Sequence, residues 1–318
     1  MVRVTRTACC TAAFDKPPPF AEGTLGIVTQ ATLRVTPLPE AQAVAVCAFP
    51  SVAAACTAVQ ELCATGVGLH CVELLDEWMV RAVNKASGFN YKEVPTLFFK
   101  FSGTHAELQA QAAATRAAAA AQGGGAFLWE DSEAGMAKLW EARKVALWSA
   151  PVLQESHDPI TKQPRAGAEG GGSGAPATPP SEVDVWITDV CVPLAKLADT
   201  ISAIKARSDA SPLHAPIVGH IGDGNVHSFI LMRRGNAADK AEGESLSHDM
   251  AVMAIDAHGT CTGEHGIGVG KRQYLLRELG AASVQAMAAM KLALDPRGIL
   301  NPGKVIPDDF LVAAAKRK

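Results

Sequence analysis

The 318-residue sequence has no run of about 20 consecutive apolar residues, so no segment of it reads as a membrane span. It lacks a strong charge of either sign. Its 29 Lys and Arg stand against 32 Asp and Glu, and a net charge of −3 gives no field that would draw nucleic acid or an anionic membrane. It has eight cysteines but no C-x-x-C pair. Cys9, Cys10, Cys47, Cys56, Cys63, Cys71, Cys191 and Cys261 are scattered through apolar segments, as expected of reduced thiols inside a cell. Two phosphate-binding signatures are also missing from its Gly-rich stretch at 258–272. His265 stands where a Walker loop needs Gly, and Arg272 follows Lys271 where it needs Ser or Thr. The glycines at 266, 268 and 270 do not make G-x-G-x-x-G. Acid is scarce at the start: Met1 to Lys16 carries Arg3, Arg6 and Lys16 against Asp15 alone. That resembles an organelle leader, which would be mitochondrial; an arbitrary start and a cytoplasmic location stay open.

What is present fits a folded protein. The hydrophobic fraction is 48%, and the length suits one large domain or two. After the breaker Pro17-Pro18-Pro19, the segment Thr32-Leu33-Arg34-Val35 reads as a short strand, stopped by Pro37 and Pro39. From residue 42, strand-like runs fall at Ala43–Phe49, His70–Leu74, Thr96–Phe101 and Ala126–Trp129. Helical stretches lie between them at about 51–65, 76–86 and 104–121. This order predicts an α+β fold, an antiparallel sheet with helices on one face. A helix at about 132–148 follows, then a strand at Val183–Val192. Further helices are expected from Pro193 to Lys205 and at about 238–257 and 281–294. Residues 158–182 are too poor in large apolar side chains to pack and are expected to form a mobile loop.

The chemistry gathers in two stretches. In His220-Ile221-Gly222-Asp223-Gly224-Asn225-Val226-His227, Asp-Gly between apolar runs signals a two-residue hairpin turn. That turn sets Gly222 opposite Asn225 and His220 opposite His227, on one face of the sheet. Two imidazoles so placed suit one metal ion; a plain hairpin with unrelated histidines is the alternative. In the second stretch, Glu264 and His265 sit together on a glycine-constrained loop. A carboxylate and two imidazoles suit a divalent transition metal. On the 132–148 helix, Met136, Trp140, Arg143 and Leu147 share one side, placing Arg143 within an apolar stripe. A buried guanidinium needs an anion, either a substrate carboxylate or a nearby Asp or Glu. The tail at 295–305 is dense in turn residues, which a plain helix stop would also explain.

Five blocks taken together resemble one family. They are Glu22-Gly23-Thr24-Leu25-Gly26-Ile27-Val28-Thr29, Thr188-Asp189-Val190-Cys191-Val192-Pro193, His220–His227, Gly263-Glu264-His265-Gly266, and Asp295-Pro296 through Asn301-Pro302-Gly303-Lys304. The family is the FAD-linked 2-hydroxyacid oxidases and dehydrogenases of the vanillyl-alcohol-oxidase fold. The Thr188 block is most similar to its flavin-dependent, cytochrome-linked D-lactate dehydrogenase branch. The resemblance implies a ferredoxin-like C-terminal substrate and metal domain at 39–318, preceded at 1–38 by a remnant of the FAD-binding domain. On this reading the chain is a C-terminal portion, with most of the FAD grip expected upstream of residue 21. It implies that His220, His227 and Glu264 hold a divalent metal, Zn or Mn, and that His265 is the general base. Arg143 would bind the substrate carboxylate, and Asn225 would lie in the same pocket. Glu22, Gly23, Gly26, Ile27 and Asn301 would approach the FAD. The implied reaction is oxidation of a small D-2-hydroxyacid, D-lactate first, with hydride passing to FAD. Electrons would then go to cytochrome c or an electron-transfer flavoprotein. Glycolate or D-2-hydroxyglutarate specificity, an inactive metal-binding fragment, and a metal-dependent hydrolase are the alternatives. Relatives acting on D-2-hydroxyglutarate carry a lysine just before the Thr188 block, where this chain has Trp186 and Ile187. That favours a small substrate.

Overall fold

The computed structural model describes residues 21–27, 29–30, 35, 37–156 and 182–316. The expected leader, the strand at 32–35 apart from Val35, and the expected loop at 158–182 apart from Glu182 lie outside the described residues. The strands are β1 (Ala41–Ala48), β2 (Cys71–Leu75), β3 (Thr96–Gly103), β4 (Phe127–Glu130), β5 (Val183–Ile187), β6 (Val190–Cys191), β7 (Ile217–His220) and β8 (Asn225–Arg233). Among the described residues they form one antiparallel sheet in the order β4-β1-β3-β2-β7-β8-β5, with β6 also paired to β8.

Helices cover both faces, one more than expected from the sequence. On the first face lie α1 (Val52–Ala64), α3 (His105–Ala121), α7 (Leu197–Ala210) and α8 (Ala237–Asp256). They bury Ala43, Ala45, Val72, Leu74, Leu97, Phe99, Ile217, Val226 and Ile230. On the second lie α2 (Glu77–Ser87), α4 (Glu133–Lys144), α5 (Ala146–Ser149) and α6 (Val152–Ser156). This face buries Val46, Leu75, Phe98, Val218, Phe229 and Leu231 against Met79, Val83, Ala146 and Leu153. The strand runs carry apolar residues at successive positions because each side of the pleat meets a helix layer. Phe98 and Phe99, neighbours in β3, enter opposite cores, each burial favouring folding by about 1.5–3 kcal/mol.

The helix starts follow sequence cues. Ser51, Asp76, Ser132 and Asn236 each accept a backbone N–H of the following turn. Thr104 and Glu107 form a reciprocal capping box on α3. Three expected elements are redrawn. The strand expected at Val183–Val192 is broken at Thr188 and Asp189 into β5 and β6. The helix expected at 132–148 stops at Lys144 and resumes as α5. The last long helix, α9 (Leu275–Leu294), begins earlier than expected and kinks at Gly280, which lies in a left-handed conformation at φ 76°. A final helix, α10 (Asp308–Ala315), packs on α9 through a small core with Val284, Ala288, Val305 and Ile306.

Candidate active site

His220 ends β7 and His227 lies in β8, but the pairing is not the one the Asp-Gly turn predicted. His220 stands opposite Asn225, and His227 opposite Val218. The turn takes four residues, Ile221–Asp223 in a 3-10 turn and Gly224 at φ 78°, because Ile221 is drawn fully into the core. The register is thereby displaced by two residues. A displacement of two keeps every side chain on its own face, so both imidazoles still point to the same side. Their ring centres are 5.7 Å apart with planes at 89°.

Glu264 is brought to them by the loop that leaves α8. One of its oxygens, Oε1, lies 3.3 Å from His220 Nε2 and 3.0 Å from His227 Nε2. Hydrogen bonds from His220 and His227 hold the Glu264 carboxyl well below the usual carboxylate range. Glu264, and then Glu73, push His220 up to about 9. The other nitrogen of each ring is already directed. His220 Nδ1 is 2.8 Å from Glu73 Oε1, and His227 Nδ1 is 3.1 Å from the Thr188 carbonyl oxygen. Both rings therefore turn Nε2 toward Glu264. Four ligands in tetrahedral array at about 2.0–2.1 Å from Zn stand about 3.3 Å from one another. The spacing of these donors, with each Nδ1 oriented by an outer partner, fits such an ion.

The break between β5 and β6 builds the rest. It leaves Thr188 facing His227, and it aims the buried Asp189 carboxylate at the loop. Asp189 accepts from the backbone N–H of Glu264 and of His265 at 3.2 and 2.9 Å, from the Thr262 hydroxyl at 2.7 Å, and from Lys271 Nζ at 3.2 Å. Burial raises its pKa, but Lys271 and these hydrogen bonds outweigh burial and leave it lowered. Asp189, His227 and His265 also lie close enough to share a cation. The Asp189 oxygens are already occupied by donors, so the His220, His227 and Glu264 set is the better site. Asn225 is buried beneath the loop, its Oδ1 without a hydrogen-bond partner. A Cβ on Gly263 would stand 2.1 Å from that oxygen, so only glycine lets the loop approach so closely.

His265 is half exposed, its ring 5.1 Å from that of His227 and its Nε2 3.8 Å from Glu264 Oε1. Beside it opens a cleft of about 630 Å³ bounded by Trp186, Ile187, Asp189, His248, Lys271 and Tyr274. Arg143 reaches the other side of the cluster, where its Nε donates to Glu73 Oε2 at 3.0 Å. Of the two anions the sequence left open for Arg143, a protein carboxylate is present, and it is Glu73. Glu73 was not singled out in the sequence. Its one signal there is an acid inside the apolar run Cys71-Val72-Glu73-Leu74-Leu75.

The residues expected near a flavin form a separate cluster that joins the loop. Glu22 accepts from the backbone N–H of Ile267 and Gly268 at 2.6 and 2.7 Å, and Asn301 Nδ2 donates to the Glu22 carbonyl. Gly23 is left-handed at φ 70° beside Asn301, Gly26 has open space where a Cβ would sit, and Ile27 is exposed. The Glu22 carboxylate is thus engaged within the chain, while Gly26 and Ile27 face outward.

A family model described as FAD linked oxidases, C-terminal domain, matches residues 38–163 and 174–305. This chain belongs to that family. Solved structures with the same fold include 4-ethylphenol oxidase from Gulosibacter chungangensis, at a TM-score of 0.58 and 14% identity over 86% of this chain and 55% of that one. p-Cresol methylhydroxylase aligns at 0.56 and 10% over 87% and 55%. In sequence, the chain is 39% identical to mitochondrial D-lactate dehydrogenase [cytochrome] of Arabidopsis thaliana over 90% of its length and 46% of the relative's. It is 38% identical to D-lactate dehydrogenase [cytochrome] 1, mitochondrial, of Saccharomyces cerevisiae over 91% and 46%. Glycolate oxidase subunit GlcD of Escherichia coli aligns at 26% over 90% and 52%. The chain spans about half the length of these relatives. No described helix is long and apolar enough to cross a membrane.

Proposed function

We propose that this chain carries the substrate-binding and proton-handling half of a flavin-dependent D-2-hydroxyacid dehydrogenase, with D-lactate as substrate. The observation that carries the reading is the convergence of His220 Nε2, His227 Nε2 and Glu264 Oε1 beside His265. Likeness to relatives named D-lactate dehydrogenase supports the substrate. The lower identity to the glycolate oxidase subunit makes glycolate the second choice. Their names also support a mitochondrial location and a cytochrome as electron acceptor.

His220, His227 and Glu264 would hold a divalent metal, Zn or Mn, and a metal there lowers the pKa of a bound hydroxyl. Gly23, Gly26, Ile27 and Asn301 would lie against FAD, with Glu22 fixing their position relative to the loop; FAD supplies the hydride acceptor. His265 is solvent-accessible, adjacent to the cluster, and suited as neutral imidazole to take the hydroxyl proton. Arg143 would bind the substrate carboxylate. Among the described residues its hydrogen bond to Glu73 uses Nε alone, which leaves the two terminal nitrogens to grip a carboxylate. Asn225 would support the pocket from below through its uncommitted Oδ1.

The test is D-lactate oxidation by flavin-loaded protein with a dye acceptor. His265→Ala should lower turnover by roughly 10²–10⁴ while leaving the flavin absorbance unchanged. Unaltered turnover in that variant would remove His265 from the reaction. Failure of the parent protein to oxidise D-lactate while it oxidises glycolate would move the substrate assignment.

A further inference from the structure

We propose that Glu73 is the positioning residue that ties the metal end of the site to its carboxylate end. The proposal rests on the metal and Arg143 roles put forward above, and it concerns a residue those roles do not include. Glu73 projects from the middle strands of the sheet with 4% of its surface exposed. A carboxylate so placed loses its hydration and is tolerated only with donors around it. It has two, and each takes a different oxygen: His220 Nδ1 at 2.8 Å on Oε1 and Arg143 Nε at 3.0 Å on Oε2.

The division has consequences at both ends. At His220 it fixes a proton on Nδ1 and so reserves Nε2, the nitrogen that faces Glu264, for a ligand role. At Arg143 it engages the inner nitrogen and presents the two terminal ones outward in a set plane. One rigid acid on a core strand thereby sets two groups that arrive from different elements, the end of β7 and the last turn of α4. A hydroxyacid bound by its hydroxyl at the metal and by its carboxylate at Arg143 would need those two groups at a fixed separation. Glu73 is the residue that touches both. A purely space-filling or charge-neutralising role would require only one negative charge somewhere near Arg143. It would not require one acceptor atom for each partner.

Glu73→Gln separates these roles, since an amide keeps the shape but has one acceptor oxygen. Either the Gln NH₂ meets His220 Nδ1, forcing the proton onto Nε2, or it meets Arg143 Nε and repels it. The probe is Co²⁺ alone, titrated into the purified chain and followed by its visible absorption, which needs neither flavin nor turnover. The wild-type chain is expected to bind one Co²⁺, and Glu73→Gln to bind it about 10–100-fold more weakly. Oxalate, added to the Co²⁺-loaded proteins, should shift the spectrum at higher concentration in the variant than in the wild type. Glu73→Asp keeps the charge and both acceptors but withdraws them by one methylene. It serves where Gln prevents folding, and it too should lose Co²⁺ and oxalate affinity. A folded Glu73→Gln or Glu73→Asp protein that binds both probes as the wild type does would overturn the proposal while leaving the metal site intact. A wild-type chain that binds no Co²⁺ would instead overturn the metal reading on which it stands.

Discussion

At the scale of single residues, the adjacent Glu264 and His265 owe their positions to one buried acid that holds them by their backbone. Asp189 collects both of their backbone N–H groups, together with Thr262 and Lys271. Asp189→Asn exchanges one acceptor for a donor and leaves Lys271 without its counter-charge. It should cost about 2 kcal/mol in unfolding free energy, measured by urea denaturation, and should weaken metal uptake through the loosened Glu264. A variant with unchanged stability and metal content would show the loop is held by other contacts. A second expectation concerns protons. His220 is pushed up to about 9 by Glu264 and Glu73, and a metal requires its neutral form. Below pH 9 uptake must therefore expel a proton, so affinity should rise about tenfold per pH unit between pH 6 and 8. The metal-free chain shows the opposite sign. Its raised His220 pKa contributes stability that is complete below about pH 6.5 and is lost as pH rises through 9. Isothermal titration in two buffers of different ionisation enthalpy would count the proton. No release at pH 7 would mean His220 does not ligate. The site histidines were legible in the sequence as a bracketed motif. Asp189 entered only within a matching block and Glu73 not at all, since lone acids in apolar runs carry no spacing pattern.

At the scale of elements, the turn between β7 and β8 decides where the histidines stand. Gly224 lies at φ 78°, and a Cβ there would sit 2.2 Å from the Val192 carbonyl oxygen. The Val192 N–H in turn donates to the Gly224 carbonyl at 3.0 Å, so backbone faces backbone and neither can yield cheaply. Gly224→Ala should lower stability by at least about 1–3 kcal/mol, read as a lower urea midpoint with an unchanged slope. A wild-type midpoint would show that the turn relaxes. The same turn marks how far sequence reasoning reaches. Asp-Gly between apolar runs correctly announced a hairpin, but turn chemistry alone fixed a two-residue loop. The burial of Ile221 on the far side of the sheet, which no local signal reveals, displaced the pairing by two. Because two is the strand period, the inference about a shared face survived a wrong register. The first four strands and their helices were legible from apolar runs and capping residues. The second helix layer was not, because an unbroken apolar run does not say how many faces are covered. The break at Thr188 and Asp189 was hidden for a related reason. The strand pattern continues on both sides of them, so they read as strand, and the turn of the Asp189 carboxylate toward the loop leaves no local mark in the sequence.

At the scale of the whole molecule, residues far apart in the chain meet around the loop that carries His265. The segment near Glu22 clamps Ile267 and Gly268, Asn301 holds Glu22, and Lys291 ties both to α9. The buried Lys291 ammonium donates to the carbonyl oxygens of Thr24 and Leu300 at 2.7 and 2.6 Å and to Asp295 at 2.6 Å. Asp295 also accepts the N–H groups of Ile299 and Leu300 at 3.1 and 2.8 Å. This latch is an acid-labile point distinct from the sheet. Lys291, helped by those two N–H groups, brings the Asp295 carboxyl down to about 2. A depressed folded-state pKa gives stability that is present above the unfolded value of about 4 and is lost as pH falls toward 2. The latch should therefore open between pH 4 and 2, ahead of β3, a strand that carries no acidic residue of its own. Hydrogen exchange at pH 6 and pH 2.5, corrected for intrinsic rates, should show Ile299, Leu300, Ile267 and Gly268 losing protection while the amides of β3 keep theirs. Lys291→Met should open the same amides at pH 6, because Asp295 then keeps its charge without a cation and the Thr24 carbonyl loses its donor. If Leu300 stays protected at pH 2.5, or loses protection only together with β3, the tail is part of the main cooperative unit. The contacts through Lys291 would then be one expression of global stability, with no local hold on the loop.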